Sequence, residues 1–142
     1  MFQPYEIPVS VKGIIFDSAG KIWLRKNSRK EWELPGGKID PDEQPEETVK
    51  REIMEEMSLS VKVGDIVDSF LIKIPDSIDE SEGVLVLIYY CKALGPTGEF
   101  EITEPGVTEF KTFSISEVEK INIWPQYKTA IKKSLEKWNY LI

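Results

Sequence analysis

The chain has 142 residues, is 41% hydrophobic and 30% charged, and carries a formal net charge of −7 with a sequence pI near 4.8. That length fits a single domain, read here as 1–142. The acidic balance excludes a general binder of nucleic-acid polymers, which needs a basic stripe to displace counterions. It still allows a small anionic substrate where a cation bridges the two. Histidine is absent, so Ser-His triads, histidine bases and histidine metal ligands all drop out. The lone Cys91 makes neither an internal disulfide nor a zinc site of the usual kind, and reads as a buried strand thiol. Any metal must then be held by oxygen, which selects hard cations such as Mg²⁺ or Mn²⁺. "MFQPYEIPVS" lacks a basic leader with an apolar core, and the apolar run 84–91 is too short to span a bilayer. The expectation is a cytoplasmic protein with no membrane association.

In chain order, "VSVKGIIFDSAGKIWLRK" predicts two strands around a turn at Ser18-Ala19-Gly20. "EWELP" is a short extended piece stopped by Pro35, and Gly36-Gly37 permits a tight loop. "PEETVKREIMEEM" has good helix formers, no internal Gly or Pro, and acidic residues in its first turn, so it predicts a helix. "SVKVGDIVDSFLIKI" predicts another strand, and "PDSIDESEG" a polar loop. "GVLVLIYYCKAL" predicts a central strand covered on both faces. "TEFKTFSI" predicts a further strand. "SISEVEKI" offers a capping pattern at Ser114/Glu117 or Ser116/Glu119 and hence a short helix. From about Pro125 to Trp138, the residues Tyr127, Ile131, Leu135 and Trp138 recur at helical spacing. The architecture is mixed α/β, with a mostly β middle and two main helices.

On the acidic helix, Val49, Ile53 and Met57 fall on one stripe at successive four-residue steps, which is the face that packs on the sheet. Glu52, Glu55 and Glu56 share the neighbouring face. Like charges at those spacings repel, and partial burial raises their pKa values unless a cation is present. A divalent ion reverses that argument, because converging carboxylates then bind it. Glu47 is spaced for an ion pair with Arg51, with Glu43 also within reach, while Arg51 lies too far round the helix to neutralise the whole cluster. Thr48, one turn before Glu52, is small and leaves room above it.

Gly37, five residues, Glu43, seven residues, then Arg51-Glu52-Ile53-x-Glu55-Glu56-x-x-Leu59 resembles the Nudix box, with eight of nine defined positions filled over 23 residues. Ser58 stands where that pattern has Gly; a left-handed Ser costs on the order of 1 kcal/mol, a stability effect rather than a chemical one. The resemblance implies an α/β/α sandwich with a mixed central sheet that hydrolyses a nucleoside diphosphate linked to another group, using Mg²⁺ or Mn²⁺. By position, Glu52 and Glu56 would be the main metal ligands, Glu55 a further ligand or the base, and the Gly37 carbonyl would complete the shell. Glu43 and Arg51 would form a salt bridge fixing loop to helix. Glu104, in "ITEPGVTEF", resembles the loop glutamate that closes the metal site in many members, with Glu109 a weaker counterpart.

Arg25, preferred to Lys26, and Lys38 are candidates for the substrate's diphosphate oxygens. Trp23, Trp32, Trp124 and Phe70 are candidate base-stacking groups, though most aromatics in a small domain are core. Pro75, 16 residues past Leu59, resembles a marker of ADP-ribose-cleaving members. The substrate stays open among nucleoside triphosphates, ADP-ribose or nucleotide sugars, and dinucleoside polyphosphates; a homodimer is allowed. The rival readings are a non-catalytic nucleotide-binding regulatory domain on the same fold and an isoprenoid diphosphate isomerase. The latter relies on histidine ligands that this chain lacks.

Overall fold

The computed structural model describes residues 7–73 and 83–141, with side chains described as far as residue 136. Pro75 and the predicted acidic loop around it lie outside the described residues, as does the side chain of Trp138. The elements in order are β1 (Val9–Phe16), β2 (Ile22–Asn27), β3 (Trp32–Glu33), β4 (Gly36–Lys38), α1 (Pro45–Met57), β5 (Val61–Lys73), β6 (Gly83–Ala93), β7 (Val107–Phe113), α2 (Ile115–Val118) and α3 (Pro125–Leu141).

One mixed sheet runs β3-β2-β1-β6-β5, with β4 also on β1 and β7 also on β2. β1 and β6 are parallel and the other pairs antiparallel. The β1–β2 turn forms as predicted: Asp17 Oδ1 accepts from the amides of Ala19 and Lys21, the local bonding that makes Asp a turn former. β2 stays with β1 only near that turn, where Phe16 faces Ile22. Further along, β4 takes over the vacated edge, pairing Gly36 to Lys38 with Lys12 to Ser10, while β2 pairs with β3 and β7. The sheet therefore splays, and the opening is where the charged residues collect. Gly36-Gly37, expected as a loop, is strand because β1 offers it a free hydrogen-bonding edge.

Alternation along the strands sorts the core into two layers. Val11, Ile15, Tyr89 and Cys91 pack with Val49, Ile53 and Met57 of α1. Ile14, Phe16, Ile88 and Tyr90 pack on the other face with Tyr127, Ala130 and Ile131 of α3. β6 is covered on both faces, which is why its sequence is a continuous apolar run. The apolar stripe of α1 is fully buried, as its spacing requires.

α1 begins at Pro45 without a side-chain cap and ends at Ser58, whose φ of 49° and ψ of 41° are left-handed, so the helix keeps the glycine-type exit rather than taking a different one. The Ser58 amide donates to Met54 O at 2.9 Å, and Ser58 Oγ donates to Glu99 O at 3.1 Å. A hydrogen bond of that kind contributes about 1 kcal/mol, enough to offset the backbone cost. The short helix α2 uses Ser114/Glu117 of the two predicted capping pairs.

Ile53 sits at 0% exposure between α1 and the sheet, whereas Met54, its neighbour in sequence, is 46% exposed. Ile53→Ala is expected to lower unfolding free energy by about 2–5 kcal/mol in urea denaturation, and Met54→Ala by less than about 0.5 kcal/mol. Equal losses would show that α1 is not docked by this stripe.

Candidate metal centre and active site

One carboxylate oxygen from each of Glu52, Glu56 and Glu104 lies within 4.8 Å of the others. Glu52 and Glu56 project from successive turns of α1 at the splay of the sheet. Glu104 reaches them from the segment before β7. Glu56 is buried, Glu52 half-buried and Glu104 exposed, so the cluster runs from the interior to the surface. Glu55 and Glu56 also sit in the last turn of α1, which has no basic residue and where the helix dipole disfavours carboxylates.

Arg25 on β2 supplies the interior counter-charge. Its Nε donates to Glu33 Oε1 at 2.8 Å and its Nη1 to Gly36 O at 3.2 Å and to Glu56 Oε1. The other oxygen of Glu56, Oε2, is sealed from solvent and has no hydrogen-bond partner among the described residues. Burial pushes the Glu56 carboxyl up to about 7, against the opposing pull of Arg25 and Lys12, with Glu52 and Glu104 adding to the rise. Burial also raises Glu52.

Arg51 makes the outer clamp. Its Nε donates to Glu43 Oε2 at 2.7 Å and its Nη2 to Glu43 Oε1 at 2.9 Å, a bidentate pair. Thr48 Oγ1 and the Asp40 amide also donate to Glu43 Oε1, at 3.0 and 3.1 Å. The Arg51 hydrogen bonds, the largest influence, hold Glu43 down at about 2. Arg51 Nη1 reaches Glu52 at 3.1 Å and Glu55 at 3.2 Å, and Nη2 reaches the Lys38 carbonyl at 3.3 Å. Arg51 thus pairs with Glu43 rather than Glu47, and it does not reach Glu56, for which Arg25 substitutes. Thr48, expected to leave open space, is instead fully buried as part of the clamp.

The donor set fits a hard divalent cation on three counts. It is all oxygen, it is anionic, and one buried carboxylate oxygen lacks a partner. Gly37 is shaped to the same purpose. A Cβ there would come within 2.6 Å of both Glu52 carboxylate oxygens, so a side chain at 37 would push the Glu52 carboxylate from its place. Gly36, at φ 143°, occupies a conformation that other residues rarely adopt.

Glu55 is not gathered with the other three carboxylates; its side chain is 59% exposed and held by Arg51. It does line a cleft of about 130 Å³ with Glu56, Thr103, Glu104 and Phe110. Lys38 is exposed at the end of β4, and its carbonyl accepts from Arg51. Glu109 is exposed on β7, paired with Lys26, and outside the cluster. Of the candidate stacking groups, Trp32 is core, edge-on to Phe113 at 4.7 Å, and half-buried Trp23 packs on the α1-side core. Trp124 stacks on Tyr127 at 5.7 Å and donates to Glu31, and Phe70 packs on Tyr127 at 6.1 Å. The sequence reading missed Glu33 and Lys12. Lys12 had a signal: period-2 alternation puts it on the same face as Ile14 and Phe16, an inward position for a cation.

The family model for the NUDIX domain matches residues 6–134. A MutT-like protein from Streptomyces ambofaciens is 30% identical over 125 residues, covering 83% of this chain and 75% of that protein. Among solved structures, a NUDIX hydrolase from Nitrosomonas europaea superposes with a TM-score of 0.75 at 16% identity, over 93% of this chain and 90% of its own. The NUDIX domain of Shewanella oneidensis NrtR, solved in complex with ADP ribose, gives 0.72 at 19% identity, over 96% and 94%.

Because Glu56 carries its proton up to about pH 7, a bound cation must displace it. Apparent Mg²⁺ affinity is therefore expected to rise with pH up to about 7 and level off above. Calorimetry at pH 6 in buffers of different ionisation enthalpy should show proton release that disappears near pH 8. The sign for stability is fixed in the same way. With its folded value raised from 4.5 to about 7, Glu56 destabilises the metal-free fold progressively as pH rises through that window. A flat affinity across the window would contradict the placement of Glu56 at the ion.

Proposed function

The chain belongs to the Nudix family of pyrophosphohydrolases, and on that footing we propose that it hydrolyses the diphosphate bond of a nucleoside diphosphate linked to a further group, with Mg²⁺ or Mn²⁺ held by Glu52, Glu56 and Glu104. The observation that carries this reading is the convergence of those three carboxylates, one of which, Glu56, has a buried oxygen without a hydrogen-bond partner among the described residues. The Nudix-domain complex with ADP ribose supports a small nucleotide as the class of substrate.

When bound, the cation polarises phosphoryl oxygens, lowers the pKa of a water and offsets the substrate's charge. The protein's own residues do the rest. Arg25 fixes Glu56 by one oxygen and leaves the other for the ion. Gly37 presents its backbone beside Glu52 without a side chain in the way. Glu43 and Arg51 tie the segment 38–43 to α1, which keeps Glu52 in place. Glu55, on the cleft wall one residue from Glu56, takes the proton of the attacking water. Lys38, exposed at the end of β4, meets outer phosphate oxygens.

The test is a hydrolysis panel of nucleoside triphosphates, ADP-ribose and nucleotide sugars, and dinucleoside polyphosphates, run with and without Mg²⁺ or Mn²⁺. At least one class should be cleaved, only with metal, and product identification then gives the phosphorus attacked. Glu56→Gln should cut kcat by roughly 100-fold or more, beyond the losses typical of residues that only support ligands. Glu43→Gln, which loosens the clamp, should fall within about 10- to 100-fold. Tight nucleotide binding without turnover, insensitive to Glu56→Gln, would overturn the hydrolase reading and favour a binding domain.

A further inference from the structure

Lys12 is a cation on the sheet's interior face. It lies in the middle of β1, opposite Gly36 on one side and Ile88 on the other, and only 8% of it is exposed. Strand alternation groups it with Ile14 and Phe16, which are core. Among the described residues nothing lies within hydrogen-bond or ion-pair distance of its ammonium. Yet Nζ is not one of the sealed, unpaired side-chain atoms, which are Glu56 Oε2 and Tyr90 Oη. Its tip therefore retains an opening. A cation so far removed from water without a partner is costly to keep.

The surrounding charges show what the opening serves. Lys12 lies within electrostatic reach of Glu33, Glu56, Glu52 and Arg25. Each of those carboxylates already has an arginine: Glu33 and Glu56 share Arg25, and Glu52 has Arg51. Arg25 already holds Glu33 through Nε and Glu56 and the Gly36 carbonyl through Nη1, so most of its donors go to positioning Glu56. Lys12 is left as the interior cation at the splay with no partner among the described residues.

We propose that Lys12 is a substrate-binding residue whose ammonium pairs with a phosphate oxygen of the diphosphate held at the carboxylate cluster. This rests on the metal-dependent hydrolase reading for the identity of the substrate, but not for the existence of the anion site. The clustered carboxylates repel a polyanion unless cations stand between them and it. A polyanion entering there needs a protein cation on its inner side, and Lys12 is placed to supply it.

The experiment compares wild type with Lys12→Met, which keeps length and apolar bulk, by two readouts. One is calorimetric binding of inorganic pyrophosphate in Mg²⁺. The other is the KM for the best substrate of the hydrolysis panel. Lys12→Met should weaken pyrophosphate binding and raise KM, each by about ten-fold or more, while melting at the same or a higher temperature, since removing an unpaired buried charge relieves the fold. A purely structural lysine would give the opposite pattern: a lower melting temperature with pyrophosphate affinity and KM within two-fold of wild type, and that result overturns the proposal. If Lys12→Met does not fold, Lys12→Gln is measured in the same two ways against the same criteria. Wild type that cleaves nothing, yet binds pyrophosphate in a Lys12-dependent manner, would sink the hydrolase reading and leave the anion site standing.

Discussion

The burial of one carboxylate governs the rest of this molecule. Glu56 is carried into the interior by the same helix turn that seats Ile53 and Met57 in the core. α1 cannot dock without taking that carboxyl group out of water. Removing one partner of a buried ion pair is strongly unfavourable, so the fold must provide compensation at that point. It does so on one oxygen only, through Arg25. The second oxygen is sealed from solvent and has no hydrogen-bond partner among the described residues. The cluster around it is all oxygen and anionic, a donor set that suits a hard divalent cation.

Two arginines divide the electrostatic work. Arg25 acts from beneath, where the sheet splays and leaves room for a guanidinium between Glu33, Gly36 and Glu56. Arg51 acts from outside, tying Glu43 and the segment before α1 to Glu52 and Glu55. Neither neutralises the cluster. The outer arginine locks Glu43 in its charged form well below the ordinary carboxylate range, whereas the inner carboxylate is pushed above it. Carboxylates displaced in opposite directions within one site mark the difference between a group held in an ion pair and one held out of water. The C-terminal turn of α1 follows the same logic. It carries Glu55 and Glu56 against the helix dipole, with Arg51 and Arg25 as their counter-charges.

Much of this was legible from residue order. The span of α1, its buried stripe and the left-handed Ser58 follow from local periodicity and chain-end chemistry, which are properties of neighbours in sequence. The continuous apolar run of β6 announced a strand covered twice. Glu52 and Glu56 were readable as neighbours because their spacing is helical, and the Glu43–Arg51 pair followed from the resemblance to the Nudix box. What failed to show were contacts between elements. Gly36-Gly37 looks like a loop until β1 is known to have a free edge. Arg25 looks like a phosphate ligand until Glu33 and Glu56 are seen to occupy it. Glu55 looks equivalent to Glu52 until the orientation of α1 turns it toward Arg51 and the rim.

The sequence by itself determined α1, the strands other than β4, the acidic character of the site and the exclusion of histidine chemistry. All of these depend on residue type and short-range spacing. Only the tertiary structure decided which carboxylates converge, which cation is spent and which is unpaired. Those outcomes depend on how far β2 departs from β1 and how α1 rests in the opening, distances set by packing between segments remote in the chain.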